Sequence, residues 1–326
     1  MIDPYGRTID YLRISVTDRC NERCLYCMPE GYKGWAQKAD HLSAAQLIAV
    51  AAAAARLGFR KFRLTGGEPL IRTDFLEIAR GIGALPGLHS LGVSTNGVKL
   101  APLAADLAAA GVRAVNVSLD ALDPERYRRL TGGDVKAVLA GICAAQAAGM
   151  MVKLNCVLLR GHNEEEYRPL IRLSAEIGAP LRFIELMPLS STDVLSEANF
   201  LSVGELRTRL HAESPLEVLS DYRPGHGPAR YWRDKASGAY LGFIGAITTT
   251  DFCVDCNKLR LTADGKIRPC LGRHGEIDLK SAFAAGSGQD DAALAALLTQ
   301  AIAQKPENHE FTQDYKPARP MTAIGG

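Results

Sequence analysis

The reading of this chain turns on one stretch: Tyr11-Leu12-Arg13-Ile14-Ser15-Val16, then Thr17-Asp18-Arg19-Cys20-Asn21-Glu22-Arg23-Cys24-Leu25-Tyr26-Cys27. The first six residues are β-branched or apolar, broken only by Arg13 and Ser15, and read as a strand. Side chains alternate along a strand, so Arg13 and Ser15 share one side. Three cysteines follow at once in the spacing C-x3-C-x2-C.

The same rhythm recurs outward from it. Short strand-like runs alternate with Ala- and Leu-rich helical stretches six times between Tyr11 and Leu186, which argues for strand-helix units and a parallel sheet. Strands are expected over Tyr11 to Val16, Lys61 to Thr65, Leu91 to Ser94, Val112 to Leu119, Met151 to Val157 and Leu181 to Leu186. Helix starts are cued by Ser43 with Gln46, a capping box, and by Thr73-Asp74, Asp123-Pro124 and Asn163. Polar motifs fall at or just after the strand ends: the cysteines, Gly66-Gly67-Glu68, Ser94-Thr95-Asn96, Ser118-Leu119-Asp120 and Glu185 to Met187. Barrels of such units carry their site on that face. Six units rather than eight predict an α/β fold, an incomplete (β/α)6 TIM-type barrel with a smaller C-terminal α+β domain. The expected division is 1–220 and 221–326, with later strands near Tyr231, Tyr240 to Ile244 and Leu259 to Thr262, and a helix from Ala292 to Ala303.

Strand parity adds a prediction about the interior. Lys61, Arg63 and Thr65 share a side, as do Asn116 and Ser118, and Lys153 and Asn155, whereas Arg182 and Glu185 fall on opposite sides. A parallel strand covered on both faces should be apolar on both. One cation-rich face therefore implies a cavity lined for an anion.

Composition narrows the class. The 326 residues carry 38 Lys and Arg against 36 Asp and Glu, a formal charge of +2, far from a dedicated nucleic-acid binder. No export signal is read at Met1-Ile2-Asp3-Pro4, and the apolar run from Ala44 to Ala55 is too short to span a membrane. A cytoplasmic protein with no membrane partner is expected. Its 8 cysteines are then metal ligands or buried thiols rather than disulfides. Cys143 and Cys156 are expected to be buried thiols, and the other six form two triplets.

A four-iron cluster normally takes four cysteines, so Cys20, Cys24 and Cys27 leave one iron open to another ligand. Zinc normally wants four ligands, and the nearest histidine, His41, is far along the chain. The spacing and its place after the first strand resemble the radical SAM superfamily. That resemblance implies that the open iron binds S-adenosylmethionine (SAM), that Tyr26 meets its adenine, and that Gly67 and Glu68 meet its amino group. Ser94, Ser118 and Met187 are further candidates for SAM.

Cys253-Val254-Asp255-Cys256 with Cys270 repeats the arrangement. Spacing alone leaves open a second open-iron cluster or a Cys3His zinc site using His274. The segment Phe252 to Gly265 with Cys270-Leu271, together with Thr65 to Leu70, Arg182 to Met187 and Ile324-Gly325-Gly326, closely resembles the GTP 3',8-cyclase family of molybdenum cofactor biosynthesis. The resemblance runs across nearly the whole chain. It implies two [4Fe-4S] clusters, the second holding the guanine of GTP, with Arg13, Lys61, Arg63, Lys153, Arg182, Lys258 and Arg260 on the nucleotide. Lys258 stands where the family often has Arg, so a bidentate contact becomes a point charge.

The implied product is (8S)-3',8-cyclo-7,8-dihydro-GTP, with Arg260, Gly325 and Gly326 catalytic and the tail entering the site. The implied partners are a flavodoxin-like or ferredoxin-like electron donor and the downstream cyclic pyranopterin monophosphate synthase, with a homodimer left open. Two rivals remain: a radical SAM peptide maturase with an auxiliary cluster, and a zinc-stabilised binding protein.

Overall fold

The computed structural model describes residues 1–28, 32, 40–189, 196, 198–283, 290–312 and 315–325. Six strands form its centre: β1 (Tyr11–Ser15), β2 (Lys61–Thr65), β3 (Ser90–Thr95), β4 (Val112–Ser118), β5 (Met151–Val157) and β6 (Leu181–Ile184). They pair in chain order, all parallel. The connecting helices are α1 (Ala44–Arg56), α2 (Phe75–Gly83), α3 (Ala104–Ala109), α4 (Pro124–Thr131), α5 (Val135–Ala147) and α6 (Tyr167–Ile177).

Local chemistry explains the helix starts. Ser43 Oγ accepts from Gln46 N, and the Gln46 side chain accepts from Ser43 N, a reciprocal cap that stabilises by about 1 kcal/mol. Asp123 caps α4 through Arg126 N at 2.8 Å. Two other expected caps serve other purposes. The Asp74 carboxylate pairs with Arg72 instead of capping α2. Asn163 accepts from Leu159 N and donates to the Asp120 and Val157 carbonyls, so it fastens a loop. α1 is the Ala-rich run, and its buried residues Leu47, Val50 and Ala53 join the main core.

The C-terminal third does more than add a separate layer. α7 (Val203–Glu213) leads to β7 (Leu216–Val218), β8 (Arg230–Asp234) and β9 (Tyr240–Ile244); then come β10 (Lys258–Leu261), β11 (Lys266–Arg268), β12 (Ile277–Asp278), α8 (Asp291–Ala303) and α9 (Met321–Ile324). β9 pairs parallel with β6, and β10 pairs parallel with β1. Eight parallel strands thus stand side by side, with antiparallel β8-β7 and β11-β12 at the two edges of one sheet, ordered β12-β11-β10-β1-β2-β3-β4-β5-β6-β9-β8-β7. The six repeating units are present, and this chain's own later strands extend both edges of their arc.

Cys156 is buried in β5, but Cys143 is exposed on α5. The expectation of two buried thiols is corrected there, because Cys143 falls on the solvent face of its helix. Among the described residues no helix is long and apolar enough to cross a membrane.

Candidate active site

The inner face of the arc encloses a cavity of about 650 Å³. Arg13, Arg63, Thr65, Asn116, Ser118, Lys153 and Asn155 line it, on the strand side that parity singled out, and Ser94 and Arg182 join them. Register makes the cations neighbours: Arg13 is level with Arg63 on one side and Arg260 on the other, and Asn155 is level with Arg182. Gly92 stands level with Arg63, and a Cβ there would come 2.7 Å from Arg63 Nη2. Glycine at that point of β3 makes room for the guanidinium.

At the carboxyl end of β1 the loop with the first triplet is held from several sides. Cys27 N and Met28 N donate to the Cys24 carbonyl at 2.9 and 3.0 Å, Arg23 N and Leu25 N donate to Thr131 and Leu130 in α4, and Gly67 N donates to Thr17. Glu22 N donates to Cys20 Sγ at 3.4 Å. All three cysteines line the cavity, as do Gly66 and Gly67. Glu68 is fully buried, and its carboxylate accepts from Leu70 N, Thr95 Oγ1 and Asn96 N at 2.9, 2.7 and 2.7 Å. That carboxylate braces three loops, and the Gly66-Gly67 backbone is what faces the cavity. Tyr26 also lines it, with its hydroxyl donating to Asp120 Oδ2 at 2.6 Å.

Burial pushes the Cys20 thiol up to about 11 and Cys27 up to about 12, and lifts Cys24 as well. It also raises Glu22 and Glu68 to about 7 and Asp120 to about 6. Desolvated thiols of this kind suit a bound cationic centre, whose charge inverts the local balance and deprotonates its ligands. Among the described residues no three His, Cys, Asp or Glu gather tightly enough to hold a single metal ion. A cluster places each thiolate on a different iron. Three thiols sharing one cavity wall fit such a group with one iron left for another ligand.

The second triplet lies at the opposite end of the same strands. Cys256 comes two residues before Lys258, which is level with Tyr11 at the start of β1, whereas the first triplet follows the end of β1. Cys253, Cys256 and Cys270 all line the cavity, and Cys256 N donates to the Cys253 carbonyl at 3.1 Å. Burial would raise Cys256, but Lys305 and Lys258 together hold it below its ordinary value. His274 is exposed and stacks on Tyr315 with ring centroids 5.3 Å apart. His309, near this triplet, does reach the cavity, and its Nδ1 accepts from Phe311 N at 3.1 Å.

Between the triplets the cations crowd one another. Burial and then Arg260 press the Arg13 guanidinium down, and burial does the same to Arg182, Lys258 and Arg260. Guanidinium stays charged in proteins, so the crowding amounts to a demand for an anion. Burial, with Arg63 and Arg182 adding to it, brings Lys153 down to about 7. Its ammonium donates to the Pro224 carbonyl at 2.7 Å, and His226 from the same loop meets Tyr11 edge-on. Lys61 differs from the rest: its ammonium pairs with Asp10 at 2.7 Å and it does not line the cavity.

The tail enters this space. Gly325 packs on the ends of β1 and β2, where a Cβ would come 2.7 Å from Thr65 Cγ2, and its φ of +72° suits glycine. Arg260 Nη1 donates to the Gly325 carbonyl at 2.7 Å. Gly326 lies outside the described residues. Met187 lines the cavity near Leu189 and Phe252. Asp120, Lys305, His226 and His309 join the lining without having been singled out in the sequence. For Asp120 there was a signal, since it ends the Ser118-Leu119-Asp120 motif, but the other three sit in loops without one.

Fold and cavity together define an α/β enzyme whose parallel strands line a cavity with a thiol triplet toward each end. The Radical SAM superfamily pattern matches residues 14–174 and the Molybdenum Cofactor Synthesis C pattern matches residues 179–311. GTP 3',8-cyclase of Rhodopseudomonas palustris (strain TIE-1) is 44% identical over 100% of this chain and 96% of its own length. The protein of that name from Pelotomaculum thermopropionicum is 42% identical over the whole of both chains. In fold the chain is similar to Streptococcus suis SuiB bound to precursor peptide SuiA, with TM-score 0.63 and 13% identity, over 92% of this chain and 66% of that one. The chain belongs to the GTP 3',8-cyclase family of radical SAM enzymes. Membership in that superfamily implies a [4Fe-4S] cluster and SAM as cofactors.

Proposed function

We propose that this chain converts GTP to (8S)-3',8-cyclo-7,8-dihydro-GTP, the entry step of molybdenum cofactor biosynthesis, using a cluster at each triplet. The observation that carries this reading is the row of buried and half-buried cations lying between two thiol triplets in one cavity. Like charges crowded together away from water are costly, and Arg and Lys are well matched to phosphate oxygens. A triphosphate gives these cations a purpose that a peptide would not.

Cys20, Cys24 and Cys27 would hold the first cluster, with SAM against Tyr26, Gly67, Ser94, Ser118 and Met187 and with Glu68 bracing the loops. A cluster and SAM held by these residues would supply hydrogen-atom abstraction at C3' of GTP, the chemistry needed for C3' to join C8. Cys253, Cys256 and Cys270 would hold the second cluster beside the guanine. Arg13, Arg63, Lys153, Arg182 and Lys258 grip the phosphates, and Lys61, through Asp10, supports that end. Arg260 holds the tail through the Gly325 carbonyl and would hold the purine, with Gly325 and Gly326 as the tail's catalytic residues. In this division residues 1–220 bind SAM and residues 221–326 complete the nucleotide site. An external flavodoxin-like or ferredoxin-like protein would supply two electrons, one to cleave SAM and one that, with a proton from solvent, completes the dihydropurine after the C3'–C8 bond forms, and cyclic pyranopterin monophosphate synthase would take the product in the cytoplasm.

Anaerobic reconstitution followed by SAM, dithionite and GTP tests the reading. Iron and sulfide of about eight each per chain, with 5'-deoxyadenosine and a cyclised nucleotide in equal amounts, are expected. Stoichiometric zinc without sulfide, or 5'-deoxyadenosine with GTP left intact, would reject it.

A further inference from the structure

Lys305, two residues past the end of α8, is only 3% exposed. Its ammonium donates to the Lys258 carbonyl at 2.9 Å and to the Pro269 carbonyl at 2.8 Å. Pro269 directly precedes Cys270, and Lys258 follows Cys256 by two residues. Lys305 thus touches both limbs of the second triplet. Arg7 grips the same segment from outside, donating to the carbonyls of Pro306, Glu307 and Cys253 at 2.5, 2.7 and 3.1 Å.

Among the described residues no carboxylate forms a salt bridge with Lys305, whose oxygen partners are both backbone carbonyls. Neutral dipoles alone are poor compensation for a buried ammonium. Thiolate ligands on an iron-sulfur core would supply the missing negative charge, and hydrogen bonds to cluster sulfurs and nearby charge set cluster potentials.

We propose that Lys305 is a positioning residue for the second triplet: it staples the Cys253-Cys256 limb to the Cys270 limb, and its fixed positive charge stabilises the reduced state of the cluster held there. This rests on the reading that Cys253, Cys256 and Cys270 hold a four-iron cluster. A cation beside a cluster favours the form carrying one more electron, so removing it makes the cluster harder to reduce.

The test compares reconstituted wild type, Lys305→Met, Lys305→Arg and Lys305→Gln by iron and sulfide content and by a redox titration followed by electron paramagnetic resonance. The second cluster's signal is the one that persists in Cys24→Ala protein. Lys305→Met should keep the cluster but shift its reduction equilibrium at least about tenfold toward the oxidised form, about 59 mV for one electron. Lys305→Arg should restore most of that shift. An unchanged potential in Lys305→Met overturns the proposal. If that variant loses the cluster, recovery with Arg but not Gln upholds the proposal, and recovery with Gln or with neither overturns it. Wild type holding only about four irons would instead reject the two-cluster reading, and the inference with it.

Discussion

Lys153 shows what one side chain can report. Burial brings its ammonium down to about 7 in the free protein, so it is charged below that pH and neutral above it. A bound triphosphate favours the charged form, and GTP binding above about pH 7 must therefore draw a proton from solvent. By linkage, affinity should fall by up to about tenfold per pH unit above that point. Lys153→Met should bind more weakly with a flatter profile. Measuring GTP dissociation constants between about pH 7 and pH 9 checks this, and equal slopes in the two proteins would contradict it. Lys153 was legible in the sequence because it shares a strand side with Asn155. Lys305 and His226 were not, since each gains its neighbours from sequence-distant segments that no local pattern announces. Glu68 was legible as a motif but misread in detail: its carboxylate meets Leu70, Thr95 and Asn96 rather than the cavity.

Strand register makes a row of functional residues out of separate elements. Arg63 on β2 is held by the Tyr11 hydroxyl of β1 at 2.7 Å and the Val93 carbonyl of β3 at 2.8 Å, while Gly92 leaves space for it. Arg63→Ala should weaken GTP binding by about 10- to 100-fold, from loss of one charge-assisted hydrogen bond of about 1.5–3 kcal/mol, and should scarcely alter guanosine binding. Gly92→Ala should mimic it by displacing the guanidinium. Calorimetric titration with both ligands decides the matter, and equal losses for GTP and guanosine would make Arg63 a brace of the fold. The six central strands were legible because alternation over four to seven residues, repeated at regular spacing, is a strong pattern. β7, β11 and β12, at three, three and two residues, are too short to show one. The partnership of β9 and β10 with the arc was hidden for a different reason, since parallel neighbours far apart in sequence leave no turn signal between them.

At the scale of the whole molecule, the chain's later part returns to complete the first. β10 runs beside β1, which puts the second triplet at one end of a strand whose other end leads to the first triplet. In the proposed reaction the substrate's purine and ribose would lie between the two, beside the Gly325 carbonyl that accepts from Arg260. The central claim is that this cavity presents C3' of GTP to the radical generated at the first triplet. The most direct measurement is mass spectrometry of 5'-deoxyadenosine formed from GTP carrying deuterium only at C3'. The account predicts one deuterium in the 5'-deoxyadenosine and its loss from the cyclised nucleotide; 5'-deoxyadenosine without label, formed alongside product that keeps the deuterium, would contradict it.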